Sequence, residues 1–379
     1  MMSSPYDNLV SPPEVAITLL AQGINQQYDK LKDNYSIVCQ NEDELEPQLI
    51  FALPRLSALY MCEGKEDRAA SVHSVMEMAT QPFKEWGIDY FACNDFPYRE
   101  IVLIDSETLV PTLESLELAR QAGGRGEDQI LEDIYHNRVR EFVKSARSRQ
   151  DELYTAIREF MVRHPLATSR KFEEWKENLK FPKAKPIVSS FYRDIPSLWT
   201  HNGLVHRCSH CHGLLKPHPD KKRYPDGICV VSQCRRKGVF SKTDETFMAD
   251  DMKLLNNQLL TYWVGPGLDE IKIYDAARQV RRNTALYPSS DACDVSLEGH
   301  AVGIDAKSYS SAPMLVKRLN TSISRLAEYE RKIIAISDEL DDKKGVYMAT
   351  LRHQKSGAAK EIEFMTVSAL IKSIQSGDI

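Results

Sequence analysis

Apolar positions recur at helical spacing through most of the first half of the chain. Val15, Ile17, Leu19, Leu20, Ile24, Tyr28 and Leu31 follow one another mostly at the spacing of an amphipathic helix. Ser11-Pro12-Pro13-Glu14 reads as its start, with a serine cap, proline in the first turn and a glutamate completing a capping box. Further helical segments are predicted over Pro47–Cys62 and Ala69–Thr80, and a short strand over Tyr98–Ile104. Gly123-Gly-Arg-Gly126 is a loop; it lacks the Lys-Ser/Thr of a phosphate loop and a strand–loop–helix frame, so it carries no phosphate role. From Glu127 to His164 the pattern predicts one long helix ended by Pro165, with Leu131, Ile134, Val139, Phe142, Ala146, Leu153, Ile157 and Phe160 near one stripe. Lys171–Leu179 makes a shorter helix, and Phe181-Pro-Lys-Ala-Lys-Pro186 reads as a linker. An all-α domain is therefore expected over residues 1–190, with nothing catalytic in it.

The period changes near the C-terminus. Leu268, Ile271, Tyr274, Ala277 and Val280 continue a helical pattern out of Gly265-Pro266-Gly267. The stretch Ala285–Lys307 then reads as two short strands joined by a turn at Glu298-Gly299-His300, where glycine supplies positive φ. With Gly299 and His300 as the loop residues, Leu297 faces Val302 and Val295 faces Ile304 on an apolar side. Asp294 then faces Asp305, and Lys307 points the same way two residues on. Opposed Cβ atoms lie ~4.5–5.5 Å apart, close enough for two carboxylates to share a cation. Two hard oxygen donors suit Mg²⁺, which polarises a phosphate and acidifies a bound water; the lysine would orient that water or stabilise charge at phosphorus. Asp291 competes with Asp294 for the metal role. On a regular strand, though, its odd separation from Asp294 points it to the other face.

Asp294 followed by Asp305-Ala-Lys307 across a hairpin resembles the PD-(D/E)xK core of restriction endonucleases. Cys293 stands where the motif has proline. Gly265-Pro266-Gly267, Tyr287-Pro288, Asp291, Asp294 and Asp305-Ala-Lys307 further resemble the endonuclease associated with prokaryotic PIWI-type (pPIWI-RE) defence modules. The resemblance implies a metal-dependent endonuclease using Mg²⁺ or Mn²⁺. Asp294 and Asp305 would be the metal ligands, Lys307 would act on the nucleophile, and Glu270 on the preceding helix would be an auxiliary acid. It also implies nucleic acid, expected to be DNA, as substrate. Defence-system partners, a PIWI-like protein and a helicase, would meet the helical N-terminal domain. The competing reading is a non-catalytic, zinc-stabilised adaptor that binds nucleic acid or a partner; an intact Asp, Asp, Lys set favours the enzyme.

Between these regions, Cys208-Ser-His-Cys211 and Cys229-Val-Val-Ser-Gln-Cys234 form two cysteine pairs, the mark of a structural Zn²⁺ site. The second pair has four intervening residues instead of two, which leaves His206, His210, His212 or His218 open as replacement ligands. The same stretch is basic, and Lys221, Lys222, Arg223, Arg235, Arg236 and Lys237 are the candidate phosphate contacts. This matters because the chain as a whole is acidic, with 49 Lys and Arg against 54 Asp and Glu, so nucleic-acid binding must be local. No apolar run of spanning length and no secretory signal pattern occurs, and eight cysteines in 379 residues make no disulfide framework. A cytoplasmic protein is expected. Its architecture is then a helical domain (1–190), a zinc-binding basic module (191–245) and an α/β restriction-endonuclease-like core around a mixed sheet (246–379).

Overall fold

The helical pattern of the first third is realised as a packed set of helices. The computed structural model describes residues 12–31, 45–121, 149–179, 184–281, 283–341 and 344–379, together with Tyr6, Val139, Val143 and Phe181. The chain divides into two units, Met1–Ile134 with Tyr309–Leu315, and Tyr135–Ser308 with Val316–Ile379. In the first unit lie α1 (Pro13–Leu31), α2 (Pro47–Cys62), α3 (Val72–Met78) and α4 (Leu113–Gln121). Ile17, Leu20 and Ile24 of α1 and Leu49 and Leu56 of α2 are fully buried. Gly23 permits that contact: a Cβ there would lie 2.6 Å from Leu49 Cγ. The Ser11 cap, the Gly123–Gly126 loop and the start of the long helix at Glu127 fall outside the described residues.

Tyr98–Ile104 is not a strand. Its backbone bonds go elsewhere: the amides of Leu103 and Ile104 donate to Ala79 O, beyond the end of α3, and Ile101 O accepts from Phe83 N. Only an isolated bridge between Ile104 and Pro111 remains of the expected pairing. At the start of this stretch Tyr98 meets Phe96, a member of a ring cluster in which Phe83, Trp86, Phe91 and Phe96 lie at centroid distances of 4.7–6.4 Å.

In the second unit α5 (Gln150–Arg163) stops before Pro165 as expected. Strand β1 (Leu166–Thr168), α6 (Ser169–Asn178) and α7 (Ala184–Ser189) follow, so the proline-containing stretch read as a linker turns helical from Ala184. Strand β2 (Tyr192–Arg193) leads into a four-stranded antiparallel sheet of β3 (Leu204–Cys208), β4 (Leu214–Lys216), β5 (Ile228–Cys229) and β6 (Lys242–Met248), with α8 (Ser232–Arg236) between the last two. Strand β7 (Met252–Leu255) then returns to pair with both β1 and β2. These short strands were not legible in the apolar pattern, but they fasten the cysteine-bearing sheet to the segment after α5.

The last part is a mixed five-stranded sheet. After a π-helical turn at Leu260–Val264 come α9 (Gly265–Val280), β8 (Thr284–Leu286), β9 (Val295–Leu297), β10 (Val302–Lys307), α10 (Ala312–Thr321), β11 (Arg331–Ile336), α11 (Val346–Gln354), β12 (Glu363–Thr366) and α12 (Val367–Ser376). The order is β12-β11-β10-β9-β8, with the first three parallel and the last three antiparallel. Helix α10 ends at Thr321 and is followed by a 3₁₀ turn at Ser324–Glu328.

One close approach fixes α9 against α5. A Cβ on Gly267 would stand 2.6 Å from Val162 Cγ2 and 3.0 Å from Cγ1, and Val162 is buried. Valine is stiff at χ1 and cannot swing away. Gly267→Ala is therefore expected to lower stability: overpacking costs about 1–3 kcal/mol against about 1 kcal/mol regained in helix propensity. Chemical denaturation checks this, with Val162→Ala in the same chain restoring part of the loss. An unchanged or raised midpoint for Gly267→Ala alone would refute the contact.

Candidate metal centres

Four cysteines converge at one point. Cys208 closes β3, and the chain reverses through Cys211, His212 (φ 59°) and Gly213, whose carbonyl accepts from Cys208 N at 2.7 Å. Cys229 closes β5, and Cys234 lies on α8. The four-residue gap in the second pair is the length needed to enter the helix and bring Cys234 back beside Cys229. All four are buried, and their Sγ atoms lie within 4.8 Å of one another. Cys211 and Cys229 Sγ are 3.5 Å apart, too far for a disulfide and near the ~3.8 Å that a tetrahedral ion with 2.3 Å zinc–sulfur bonds requires. Backbone amides of Gly213 and Val231 donate to the sulfurs of Cys211 and Cys229. Hydrogen bonds from the other three thiols and from His210 hold Cys234 far toward the thiolate. The cluster could hold a structural zinc ion, and no histidine is needed to complete it: His210 Nδ1 bonds Cys234 Sγ at 3.2 Å, and His206 Nδ1 is bonded to Asp226 O.

The second centre lies on the mixed sheet. Leu297 pairs with Val302 and Val295 with Ile304, the register read from the sequence, and Ala301 N donates to Glu298 O to close the Gly299-His300 loop. Beyond Val295 the regular ladder stops. The Asp294 amide is shared between Ile304 O at 3.1 Å and Asp305 Oδ1 at 3.2 Å, and the Asp294 carboxylate accepts from Ala306 N at 2.7 Å. Each aspartate thus anchors the other's strand. Lys307 Nζ is 3.5 Å from Asp305 Oδ2.

Asp291 is on no strand. Ser289, Ser290 and Asp291 all have positive φ, in a tight turn between β8 and β9. Alternation of faces therefore does not apply, and Asp291 reaches the same cluster as Asp294. What collects the acids is Arg158 of α5. Its Nη2 sits 3.0 Å from both oxygens of Glu270 and 3.7 Å from Asp294 Oδ1, and its Nη1 sits 2.6 Å from Asp291 Oδ1. The guanidinium lies 4.0 Å above the Tyr287 ring, and Tyr287 donates its hydroxyl to Glu270 at 2.6 Å. Tyr154, one turn before Arg158, donates to Asp291.

Burial dominates the electrostatics. It pushes Glu270 up despite Arg158, and with the charges of Glu270 and Asp305 it holds Asp294 well above the usual carboxylate range. Burial alone would lower Arg158, but Asp291 and Glu270 keep it firmly charged. Folding therefore raises the proton affinity of Glu270 and Asp294 above that in the unfolded chain. Among the described residues, the cysteines are the group of three or more donors gathered for an ion; the acids are gathered around a guanidinium.

Arg158 was missed in the sequence. Its signal is a charge inside the apolar stripe Tyr154, Ile157, Met161, all buried. The basic candidates divide. Lys221, Lys222 and Arg223 are exposed together, and Arg236 is exposed on α8. Arg235 donates to Cys229 O, and Lys237 pairs with Asp269 at 3.4 Å and Glu339 at 3.8 Å.

Residues 267–377 match the family described as "REase associating with pPIWI_RE", and residues 38–168 match "pPIWI_RE three-gene island domain Y". Glu270, Asp291, Asp294, Asp305 and Lys307 fall in the first span and Arg158 in the second; the four cysteines fall in neither. No curated protein and no solved structure matches the chain. No described helix is long and apolar enough to cross a membrane.

Metal analysis tests the cysteine centre. About one zinc per chain is expected in purified protein. Cys208→Ser with Cys211→Ser, and Cys234→Ser alone, should lose it and become sensitive to protease, while His210→Ala should retain it. Folded parent protein without zinc, or zinc lost from His210→Ala and kept by Cys234→Ser, would contradict this ligand set.

Proposed function

We propose that this chain, a pPIWI_RE-associated restriction-endonuclease-like protein, is a Mg²⁺- or Mn²⁺-dependent endonuclease that hydrolyses phosphodiester bonds of foreign nucleic acid in a prokaryotic defence module. The observation that supports this reading is the joining of Asp294, Asp305 and Lys307 across the β9–β10 turn. Asp294 and Asp305 would hold the ion. Their oxygens suit Mg²⁺, and two protein ligands leave its other positions to water and phosphate. When bound, the ion supplies a polarised phosphate and a water of lowered pKa. Lys307, beside Asp305, orients the attacking water or offsets charge at the phosphorus. Glu270, with both oxygens on Arg158, acts by fixing that arginine and not as a ligand.

The exposed Lys221, Lys222 and Arg223 would contact phosphates, with Arg236 the further exposed candidate. Lys237 and Arg235 serve the fold. The buried four-cysteine centre would hold zinc as a structural ion. DNA is the expected substrate, and the module's other proteins the expected partners of the helical N-terminal region.

Cleavage of plasmid, single-stranded DNA and RNA with Mg²⁺ or Mn²⁺ tests the reading. Asp305→Asn and Asp294→Asn should abolish metal-dependent cutting with the fold intact. Lys307→Ala should slow it about 10²–10⁴-fold while the ion still binds. If Asp305→Asn and Lys307→Ala both cut like the parent, the adaptor reading replaces this one.

Neutralising Lys221, Lys222 and Arg223 should flatten the salt dependence of nucleic-acid binding by ~0.7–0.9 in log–log slope per lost contact. An unchanged slope would move the binding surface elsewhere.

A further inference from the structure

The acid cluster already contains a cation. We propose that Arg158 occupies the place a second divalent ion would take, so that the site accepts one divalent ion, held by Asp294 and Asp305 without Glu270 or Asp291. This rests on the metal-dependent reading above.

The first ground is commitment of the oxygens. Both Glu270 oxygens face Arg158 Nη2 at 3.0 Å, and one also accepts the Tyr287 hydroxyl. Asp291 divides its two oxygens between Arg158 and Tyr154. A divalent ion would have to break these bonds to use either residue. Asp294 Oδ1, at 3.7 Å from Arg158, and Asp305 Oδ2, at 3.5 Å from Lys307, are held far more loosely.

The second ground is charge. Fully ionised, four carboxylates against Arg158 and Lys307 leave two negative charges, which one divalent ion neutralises. A second would leave the buried site positive. The third ground is permanence. Arg158 is 5% exposed, stacked on Tyr287 and tethered by its helix. Unlike a bound ion, it cannot leave for solvent. A guanidinium also suits the place better than an ammonium would, because its planar fork meets several carboxylates at once.

The test counts ions in the zinc-loaded full chain, with free Mn²⁺ followed by its paramagnetic resonance signal and Asp294→Asn/Asp305→Asn as the blank. The parent should bind one Mn²⁺ above the blank, and Glu270→Gln should still bind one. Arg158→Met should bind two, and Arg158→Met with Glu270→Gln should return to one. The inference is overturned by a parent that binds two, by Glu270→Gln losing its ion, or by folded Arg158→Met remaining at one. Should Arg158→Met fail to fold, the parent and Glu270→Gln counts decide. A parent that binds none above the blank removes the metal-dependent reading and this inference together, whereas a parent count of two removes the inference alone.

Discussion

A buried arginine with three carboxylates around it is the interaction on which the second unit depends. Burying a charge is costly unless it is paired, and removing one partner from a buried ion pair costs about 3–5 kcal/mol. Arg158 joins α5, α9 and the turn before β9 at one point through Glu270, Asp291 and Asp294. These come from segments far apart in sequence, so none of the three acids has its final environment until the others are in place. The strained left-handed run at Ser289–Asp291 is held by the same arrangement, with Asp291 on Arg158 and Ser290 bonded to Asp151 of α5.

The hairpin was legible because two independent signals agreed. The apolar pairs Leu297–Val302 and Val295–Ile304 and the turn at Gly299 specify the same register, and a one-residue slip would have exposed the whole apolar set. The cysteine pairs were legible because their chemistry is local. Asp291 was misplaced because alternation assumes a strand, and serines in left-handed conformation leave no mark in the apolar pattern. Arg158 could not be paired from sequence, since its partners are 112 to 136 residues away and only tertiary packing selects them. The short strands β1, β2 and β7 have two to four residues each, too few to display a period.

Asp294 also illustrates how a sheet can end in a site. Where the β9–β10 ladder runs out, its carboxylate takes the Ala306 amide that a strand carbonyl would otherwise accept. The residue therefore does structural and electrostatic work with different oxygens. Its burial raises its pKa for the same reason that it is well positioned.

Asp269, the neighbour of Glu270, faces a different set of partners. It accepts from Gln233 at 2.6 Å and from Ser337, and it pairs with Lys237. Gln233 is adjacent to Cys234 on α8, and Ser337 follows β11. Two consecutive residues of one helix thus carry the acid cluster on one side and the cysteine-bearing helix on the other. Anyone trimming this protein at residue 246 would keep the five-stranded sheet but strand the buried Asp269 carboxylate without Gln233 and Lys237. The smallest self-sufficient piece has to begin upstream of the cysteines, and upstream of Arg158 as well.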